Sequence, residues 1–391
     1  MPQYPGDTLS MMVSRVLAAK PNAQQSEIVR SINARIRSVI NARIYWSDLL
    51  ARRIVSIPDP YVTGTVSYTR GSSLIAGTNT SWPVNDVVNT TASNAVLDTG
   101  FQEITPASMA NIAVDTMLFC DSGNGNQETV AVVQTTPISF WAKFTKTHSA
   151  NMTLTSSSLA GLQIYPGTNY PVFTVRAVRN ATQIELDNPW GGPNLSDQGY
   201  QIYKGYTTID PNLKVVIDIV DQQQGIRLET YIPVEYANSR DPQRTDQGDP
   251  IGLVQYTPSE AGSMQFEIWP RATSARQLYV LCGLQWPDLI QENDRPPSFI
   301  DPSIFVDGAI ADALRIKNVR FGPSSNGVDP WFNPELAMQY EQKFQYGLEV
   351  AKNADEAKAQ RAYSQNRNWL VAGAGARFWM SHDSDLMFGR F

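Results

Sequence analysis

The sequence predicts an α+β fold, in which N- and C-terminal segments form a helical body with one or more antiparallel β-barrel or β-sandwich domains inserted between them. At both ends of the 391-residue chain, apolar residues recur at three- and four-residue spacing. In between lie short alternating runs separated by turn clusters. Charged residues make up only 17%, and the neutral polar residues that replace them are typical of a β-rich surface. We predict five regions, which are N-terminal helices (1–57), an inserted β-rich domain (58–205), a mixed β-rich region (206–300), C-terminal helices (301–370) and a flexible docking tail (371–391).

Two helices are predicted at the N-terminus. Asp7 or Thr8 can cap a first helix that ends near Lys20, before Pro21. A second helix is expected from about residue 22 to 54, because no Gly or Pro interrupts it. Its apolar stripe consists of Ile28, Ile32, Ile36, Val39, Ile40, Ile44 and Leu50. Arg43 falls within this stripe, so we expect it to contact a carboxylate or another subunit.

The middle of the chain is predicted to be built from strands. Residues 65–69, 128–133, 173–178 and 182–186 alternate between apolar and polar side chains, and clusters such as Gly191-Gly192-Pro193 separate such runs. Further strands are expected at 214–220, 226–231, 252–256, 265–269 and 277–283. Short strands divided in this way favour a barrel or a sandwich.

Two helices are predicted near the C-terminus. Asp301-Pro302 can open one that runs to about residue 317, and Asn333 with Pro334 can open another that runs to about residue 368. The apolar stripe of the second helix is Leu336, Tyr340, Phe344, Leu348 and Ala351. Its solvated face is expected to carry Glu341, Glu349, Lys352, Asp355, Glu356 and Lys358.

The tail follows a flexible Gly373-Ala374-Gly375-Ala376 hinge. Its large apolar side chains are Phe378, Trp379, Met380, Leu386, Met387, Phe388 and Phe391. So short a segment cannot bury them by itself, and their exposure would promote aggregation. They are expected either to anchor in a partner or a second copy, or to fold back on the body of the same chain.

Charge is distributed unevenly along the sequence. Residues 1–56 contain eight basic and three acidic residues, whereas the remainder contains 23 basic and 34 acidic residues, a net charge of −11. Arg30, Arg35, Arg37, Arg43, Arg52 and Arg53 could pair with another subunit or face DNA phosphates. An ordinary solvated helix face is the alternative.

No residue pattern predicts catalysis, a metal site or a cofactor site, so we expect no enzyme activity. The two cysteines, Cys120 and Cys282, lie in apolar runs and are expected to be buried structural thiols. Only two histidines occur, and Ser381-His382-Asp383 are neighbours that cannot form one hydrogen-bonded triad. Uncharged apolar runs reach only a few residues, so no transmembrane helix is expected.

Two stretches carry a resemblance to a known family. Residues 61–72 (YVTGTVSYTRGS) with 74–82 (LIAGTNTSW) resemble the repeated Gly-Thr-Val-Ser style of tailed-phage virion proteins. Residues 183–190 (QIELDNPW) followed by 200–203 (YQIY) are similar to a second stretch of the same proteins. The order of N-terminal helices, β-region, the 268–270 strand (IWP) and closing helices resembles the tailed-bacteriophage head-to-tail adaptor, or connector, family.

This resemblance implies a structural virion protein of the neck or tail, assembled in the host cytoplasm. It implies a homo-oligomeric ring, commonly of twelve copies, that joins the capsid portal protein to a tail or nozzle protein. The helical body would surround the DNA channel with transient, non-specific DNA contact, and the C-terminal tail would reach the portal. Tail fibres are further partners, and no membrane contact is expected.

Two alternatives belong to other functional classes. A tail-associated receptor- or glycan-binding protein would use the β-rich domain, and clustering of Trp82, Trp141 and Trp190 in one groove would favour it. A hydrolase of cell-wall polymer would need two carboxylates at glycosidase spacing in a cleft.

Overall fold

The structure, a computed structural model, describes residues 7–122, 124–167, 170–259, 262–316 and 329–370, with the side chains of 256, 257 and 359–370 outside the described set. The chain divides into two compact units. The first unit is drawn from Met1–Leu50 and Gly283–Phe391, and the second from Ala51–Cys282.

The predicted fold class, an α+β helical body with inserted antiparallel β-domains, is wrong. The described residues form 22 strands and five α-helices, so the protein is mostly β, with sheets that come close to barrels. The expectation overestimated helix because it extended a three- and four-residue apolar spacing through residues that the structure pairs as strands.

The helices, in chain order, are α1 (Leu9–Ala19), α2 (Gln25–Asn41), α3 (Val234–Arg240), α4 (Pro302–Arg315) and α5 (Pro334–Leu370). Thr8 caps α1 by accepting a hydrogen bond from the Met11 amide, and Asp301 caps α4 through the Ser303 amide at 2.8 Å. Asn333 accepts from the Leu336 amide at 3.0 Å, with Pro334 as the first residue of α5. These caps confirm the predicted helix starts. No described helix is both long and apolar enough to cross a membrane.

The second helix is shorter than predicted. It ends at Asn41, a 3₁₀ turn follows at Ser47–Leu49, and Leu50–Ile57 form a strand. Exposed and less exposed side chains alternate along that strand, which ends with Val55 and Ile57 buried. The two-residue period and the β-branched side chains favour a strand, which the extended helical spacing concealed.

The strands of the first half are β1 (Leu50–Ile57), β2 (Thr65–Tyr68), β3 (Leu74–Thr78), β4 (Val88–Thr91), β5 (Gly100–Ile104), β6 (Met117–Cys120), β7 (Glu128–Thr135), β8 (Phe140–Phe144), β9 (Thr153–Ser156), β10 (Gln163–Tyr165) and β11 (Phe173–Asn180). Those of the second half are β12 (Gln183–Leu186), β13 (Leu195–Gln198), β14 (Gln201–Tyr203), β15 (Tyr206–Thr208), β16 (Leu213–Asp221), β17 (Ile226–Ile232), β18 (Gln247–Gly248), β19 (Gly252–Pro258), β20 (Met264–Trp269), β21 (Arg271–Ala272) and β22 (Arg276–Leu284).

Three large sheets are formed by these strands. The mixed sheet has the order β1-β22-β16-β17-β19-β20-β15, with β17 and β19 parallel. The antiparallel seven-stranded sheet has the order β13-β2-β3-β12-β11-β10-β14. The six-stranded sheet has the order β4-β9-β6-β7-β8-β5 and is also antiparallel. A parallel pair of short strands, β18 and β21, completes the described sheets.

Each antiparallel sheet has its own apolar core. In the antiparallel seven-stranded sheet, the Trp190 ring packs against the Tyr68 ring with 4.5 Å between centroids. The Trp82 indole N–H donates a hydrogen bond to the Tyr200 hydroxyl at 2.9 Å. In the six-stranded sheet, Phe140 and Phe144 are buried on one face of β8. The alternation of buried and exposed side chains along β8 therefore decides which residues reach solvent.

Helices from both ends of the chain pack together in the first unit. Met12, Ile32, Phe305 and Phe344 lie in its buried core. At the end of α4, the buried Lys20 ammonium donates to the Ala313 carbonyl at 2.8 Å, as expected for a cation that satisfies the free carbonyls at a helix C-terminus.

Arg35 of α2 links α4 and α5. Its Nε donates to Asp312 of α4 at 2.9 Å, and its Nη2 donates to Glu341 of α5 at 2.7 Å. The guanidinium also lies over the Phe344 ring, 4.7 Å from its centroid. Gly308 makes room for the Arg35 stem, because a Cβ there would lie 2.8 Å from Arg35 Cδ. One side chain thus holds three helices.

Replacing Arg35 by Met is expected to destabilise the first unit by about 2 kcal/mol, because it leaves the partly buried carboxylates of Asp312 and Glu341 with the more exposed Arg315 as their remaining cationic neighbour among the described residues. The matched control is Arg37→Met, since Arg37 pairs with Asp288 at a half-exposed site and should change stability by less than about 1 kcal/mol. Denaturant unfolding of both variants measures the difference, and equal losses would contradict the role of Arg35.

Candidate functional site

Three of the six candidate arginines pair with buried or partly buried carboxylates of the same chain. Arg35 has the partners described above, and Arg53 Nε lies 2.7 Å from Asp210. Arg43 lies 3.4 Å from the buried carboxylate of Asp355 and donates to the Lys352 carbonyl at 2.9 Å. Arg43 was expected to contact a carboxylate or another subunit, and Asp355 is that carboxylate.

The other three arginines lie at the surface. Arg37 pairs with Asp288 at 2.8 Å, with both side chains half-exposed. Arg30 of α2 and Arg52 of β1 are exposed, and neither forms an ion pair with any described residue. Arg30 and Arg52 therefore remain the arginines best placed to contact another molecule.

The seven apolar residues of the predicted docking tail, Phe378, Trp379, Met380, Leu386, Met387, Phe388 and Phe391, lie outside the described residues. Their role stays a prediction.

The solvent-facing side of α5 is the candidate assembly surface of the first unit. Met338, Tyr346 and Val350 are all exposed, and Tyr346 retains 75% of its accessible area. Spacings of eight and four residues bring them to one side of the helix, opposite the buried Phe344. We call this side, with the intervening Gln342, the α5 outer face. It offers apolar area on a helix that the Arg35 contacts hold in place.

Sequence reasoning missed this surface because it looked for the apolar stripe that forms the core. Phe344 and Leu348 of that stripe are buried, as predicted, and Leu336 is exposed. The signal available in the sequence was a second apolar set, Met338, Tyr346 and Val350, out of phase with the first.

The three tryptophans of the β-rich region do not share a groove. Trp82 and Trp190 are buried in the core of the seven-stranded sheet, whereas Trp141 on β8 is 36% exposed. Trp141 lies opposite Glu103, and Phe101 lies opposite Lys143, so these four residues share the outer face of β5 and β8. Phe101 is 58% exposed. We call this group the β5–β8 face.

His148 forms a buried polar cluster that the sequence did not reveal. Its Nδ1 lies 2.7 Å from Asp121 and its Nε2 lies 2.8 Å from Glu128, with the ring fully enclosed. Glu128 also accepts hydrogen bonds from the Thr145 and Lys146 amides at 2.9 and 3.0 Å. Burial alone would raise the pKa of Glu128, but the hydrogen bonds from Thr145, His148 and the backbone lower it.

The chemistry open to this cluster follows from its geometry. A histidine that acts as a general base needs one ring nitrogen facing the proton it removes. Both nitrogens of His148 face carboxylates instead, so the cluster ties the ends of β6 and β7 to the segment after β8. Among the described residues, no group of three or more His, Cys, Asp or Glu side chains has the arrangement of a metal site.

Both cysteines are free thiols in buried positions, as predicted. Burial raises the pKa of the Cys120 thiol, and it also raises the pKa of Cys282, so neither is activated as a thiolate.

The stability of the six-stranded sheet is expected to fall as the pH drops below about 4.5, the ordinary range of a Glu carboxyl. The folded-state pKa of Glu128 is depressed, so its contribution is complete above the unfolded-state pKa and is lost as the pH falls through the folded-state value. Denaturant unfolding from pH 7 to pH 3 measures this loss. Glu128→Gln should be less stable at pH 7 and less sensitive to acid.

The exposed Glu229 on β17 provides the control for that measurement. Glu229→Gln should keep the acid sensitivity of the unchanged protein. An acid response that is identical in Glu128→Gln and the unchanged chain would show that Glu128 does not carry it.

Comparison with known proteins adds no family assignment, since neither the protein-family models nor the curated proteins contain a match to this chain.

Proposed function

We propose that this chain is a structural virion protein that forms an oligomeric adaptor ring, joining the capsid portal to the tail and lining the DNA channel. The proposal rests on the resemblance of residues 61–82, 183–190 and 200–203 to tailed-phage virion proteins, on the order of elements that resembles head-to-tail adaptors, and on the α5 outer face. It assigns the protein no reaction and no cofactor. A ring of twelve copies, and the portal and tail proteins as partners, are parts of this proposal.

The observation that carries the proposal is the α5 outer face. A ring requires heterologous contacts, in which one surface of a subunit meets a different surface of the next. Aromatic and Met side chains are enriched at the centre of such contacts. The exposed Met338, Tyr346 and Val350 supply that chemistry on one helix of the first unit.

Charge complementarity favours a second copy as the occupant of this face. The exposed Glu335 lies on the solvent side of α5, and so does Glu349, which pairs with Lys352 of the same helix at 2.9 Å. On α2, Arg30 and Arg37 point to solvent, and Arg30 has no ion-pair partner among the described residues. An acidic and apolar face on one subunit and a basic face on its neighbour would attract each other.

The overall charge fits a channel through which DNA moves. The chain outside residues 1–56 has a net charge of −11. Non-specific DNA affinity comes mainly from cations that neutralise phosphates. Arg35, Arg43 and Arg53 are occupied by carboxylates of the same chain, which reduces the number of cations that could hold the duplex.

Tyr346→Asp is expected to weaken assembly on the portal by roughly tenfold or more, because it puts a charge at the centre of the apolar face. The matched control is Tyr231→Asp, since Tyr231 is similarly exposed on β17. Sedimentation velocity and light scattering of the full chain, alone and with the portal protein of the same virus, measure the assembly.

This experiment tests the adaptor role and the α5 outer face separately. If the unchanged chain does not associate with the portal, the adaptor role is wrong. If Tyr346→Asp assembles as well as the unchanged chain, the adaptor role stands and the α5 outer face is not the contact between subunits.

A second candidate function is binding to a receptor or glycan through the β-rich region. The burial of Trp82 and Trp190 speaks against a groove of three tryptophans, whereas the exposed Trp141 and Phe101 of the β5–β8 face favour this function. Neighbouring aromatic rings present flat apolar surface with little conformational entropy to lose.

Under this second function, Trp141→Ala should reduce binding to host-cell surface polysaccharide by roughly tenfold or more. Trp331→Ala is the matched control, because Trp331 is similarly exposed in the first unit. Pull-down of the full chain on purified polysaccharide is the measurement. No binding by the unchanged chain, or equal binding by both variants, would rule out the β5–β8 face as a receptor site.

A further inference from the structure

A small cavity lies in the second unit beside the polar loop that follows α3. Its volume is about 30 Å³, room for roughly two water molecules or one small ion. Its walls include Tyr203, Asp241, Glu267, Trp269 and Arg271. Tyr203 comes from β14 of the antiparallel seven-stranded sheet. Glu267 and Trp269 come from β20 of the mixed sheet.

The Arg271 guanidinium is held in this wall by two aromatic rings. It lies 4.1 Å from the centroid of Tyr165 and 5.2 Å from that of Tyr203. Only 5% of Arg271 is exposed. The stacked rings engage the guanidinium by cation–π contact, and its N–H groups lie in the guanidinium plane, where only a hydrogen-bond acceptor can satisfy them.

The walls of the cavity contain more unsatisfied hydrogen-bond donors than acceptors. Among the described residues, Nε, Nη1 and Nη2 of Arg271 and the Trp269 indole nitrogen have no acceptor at full hydrogen-bond geometry, and the Tyr203 hydroxyl is the nearest polar partner of the guanidinium. These atoms carry six N–H groups. The buried acceptor left unsatisfied beside them is one carboxylate oxygen of Glu267, Oε2. A matching ligand therefore has several acceptor lone pairs and one donor.

The charge of Arg271 also lacks a direct partner. No carboxylate of the described residues lies within ion-pair distance of it. Glu267 is paired with Arg244 through its other oxygen, and Asp241 accepts from the Thr245 and Asp246 amides at 2.7 and 2.9 Å. Burial raises the pKa of the Tyr203 hydroxyl to about 12, although the charge of Arg271 and a hydrogen bond to it act in the opposite direction, so Tyr203 is neutral at physiological pH.

Water fits this set of groups poorly. Two waters that bond to each other keep three lone pairs for six N–H groups, so buried donors would stay unsatisfied. A planar oxyanion offers more lone pairs, and the fork of an arginine matches two oxygens in one plane. Bicarbonate also carries one hydroxyl hydrogen, which Glu267 can accept, whereas formate, nitrate and chloride carry none.

We propose that this cavity binds one small planar oxyanion of the bicarbonate class, whose oxygens accept hydrogen bonds from Arg271 and whose hydroxyl donates to Glu267. The bound anion bridges Glu267 of β20 and Arg271 of β21, and Tyr203 of β14 packs against the same guanidinium, so the anion stabilises the second unit. The site is independent of the proposed adaptor role and needs no second subunit.

Titration of the full chain with ¹³C-bicarbonate at pH 8, followed by ¹³C NMR, tests the site against formate, nitrate and chloride at equal ionic strength. Saturable binding of bicarbonate, stronger than that of the other three anions, is expected. Arg271→Lys keeps the charge but removes the planar fork, so it should weaken binding by roughly tenfold or more. Arg227→Lys, at a more exposed ion pair with Asp218, is the matched control.

A second variant, Glu267→Gln, tests the anion site even if Arg271→Lys does not fold. Glu267→Gln places an amide donor in the cavity, so the preference should shift from bicarbonate toward nitrate and formate, which need only donors. Binding of bicarbonate no stronger than that of chloride would overturn the proposal and leave the cavity to water. An unchanged anion preference in Glu267→Gln would equally overturn the assigned role of Glu267.

Discussion

The first unit depends on one side chain that joins helices far apart in the sequence. Arg35 on α2 pairs with Asp312 and Glu341, which lie 277 and 306 residues away. Because its aliphatic stem passes over Gly308 and its guanidinium covers Phe344, a charge and an apolar contact act at the same place. Chain entropy opposes closing so long a loop, and the buried core of the unit together with this contact offsets it. The α5 outer face is presented to solvent because its opposite side is held here.

The second unit buries charged and polar side chains that need hydrogen-bond partners inside it. Its antiparallel sheets have aromatic cores, but charged side chains also enter the interior. His148 is satisfied by two carboxylates, and Glu128 gathers further amide donors. Arg271 lies against the rings of Tyr165 and Tyr203 in the wall of a cavity. A buried polar group is costly unless it is hydrogen-bonded, which explains why the first cluster acts as a structural tie and why the second points to a ligand.

Local features were predictable from the sequence where the physical cause is itself local. The caps at Thr8, Asp301 and Asn333 come from side chains within three residues of the amides they bind. The strands at residues 128–133 and 183–186 follow from two-residue alternation. The helix expected to reach residue 54 ended at Asn41, because apolar spacing cannot separate a helix from a β-branched strand that follows it. The predicted fold class made the terminal helices the main body of the protein, whereas the described residues form 22 strands and are mostly β.

The sequence by itself determined the helix starts at Thr8, Asp301 and Asn333, nine of the 22 described strands, the uneven charge and the scarcity of histidine. Only the tertiary structure decided which charged residues are internal. Asp355 and Glu341 were expected on a solvated face, yet Asp355 is buried against Arg43 and Glu341 is bound by Arg35. It also decided that Trp82 and Trp190 are core residues while Trp141 reaches solvent. The reason is that burial and pairing depend on contacts across more than a hundred residues, and a local pattern carries no information about the partner.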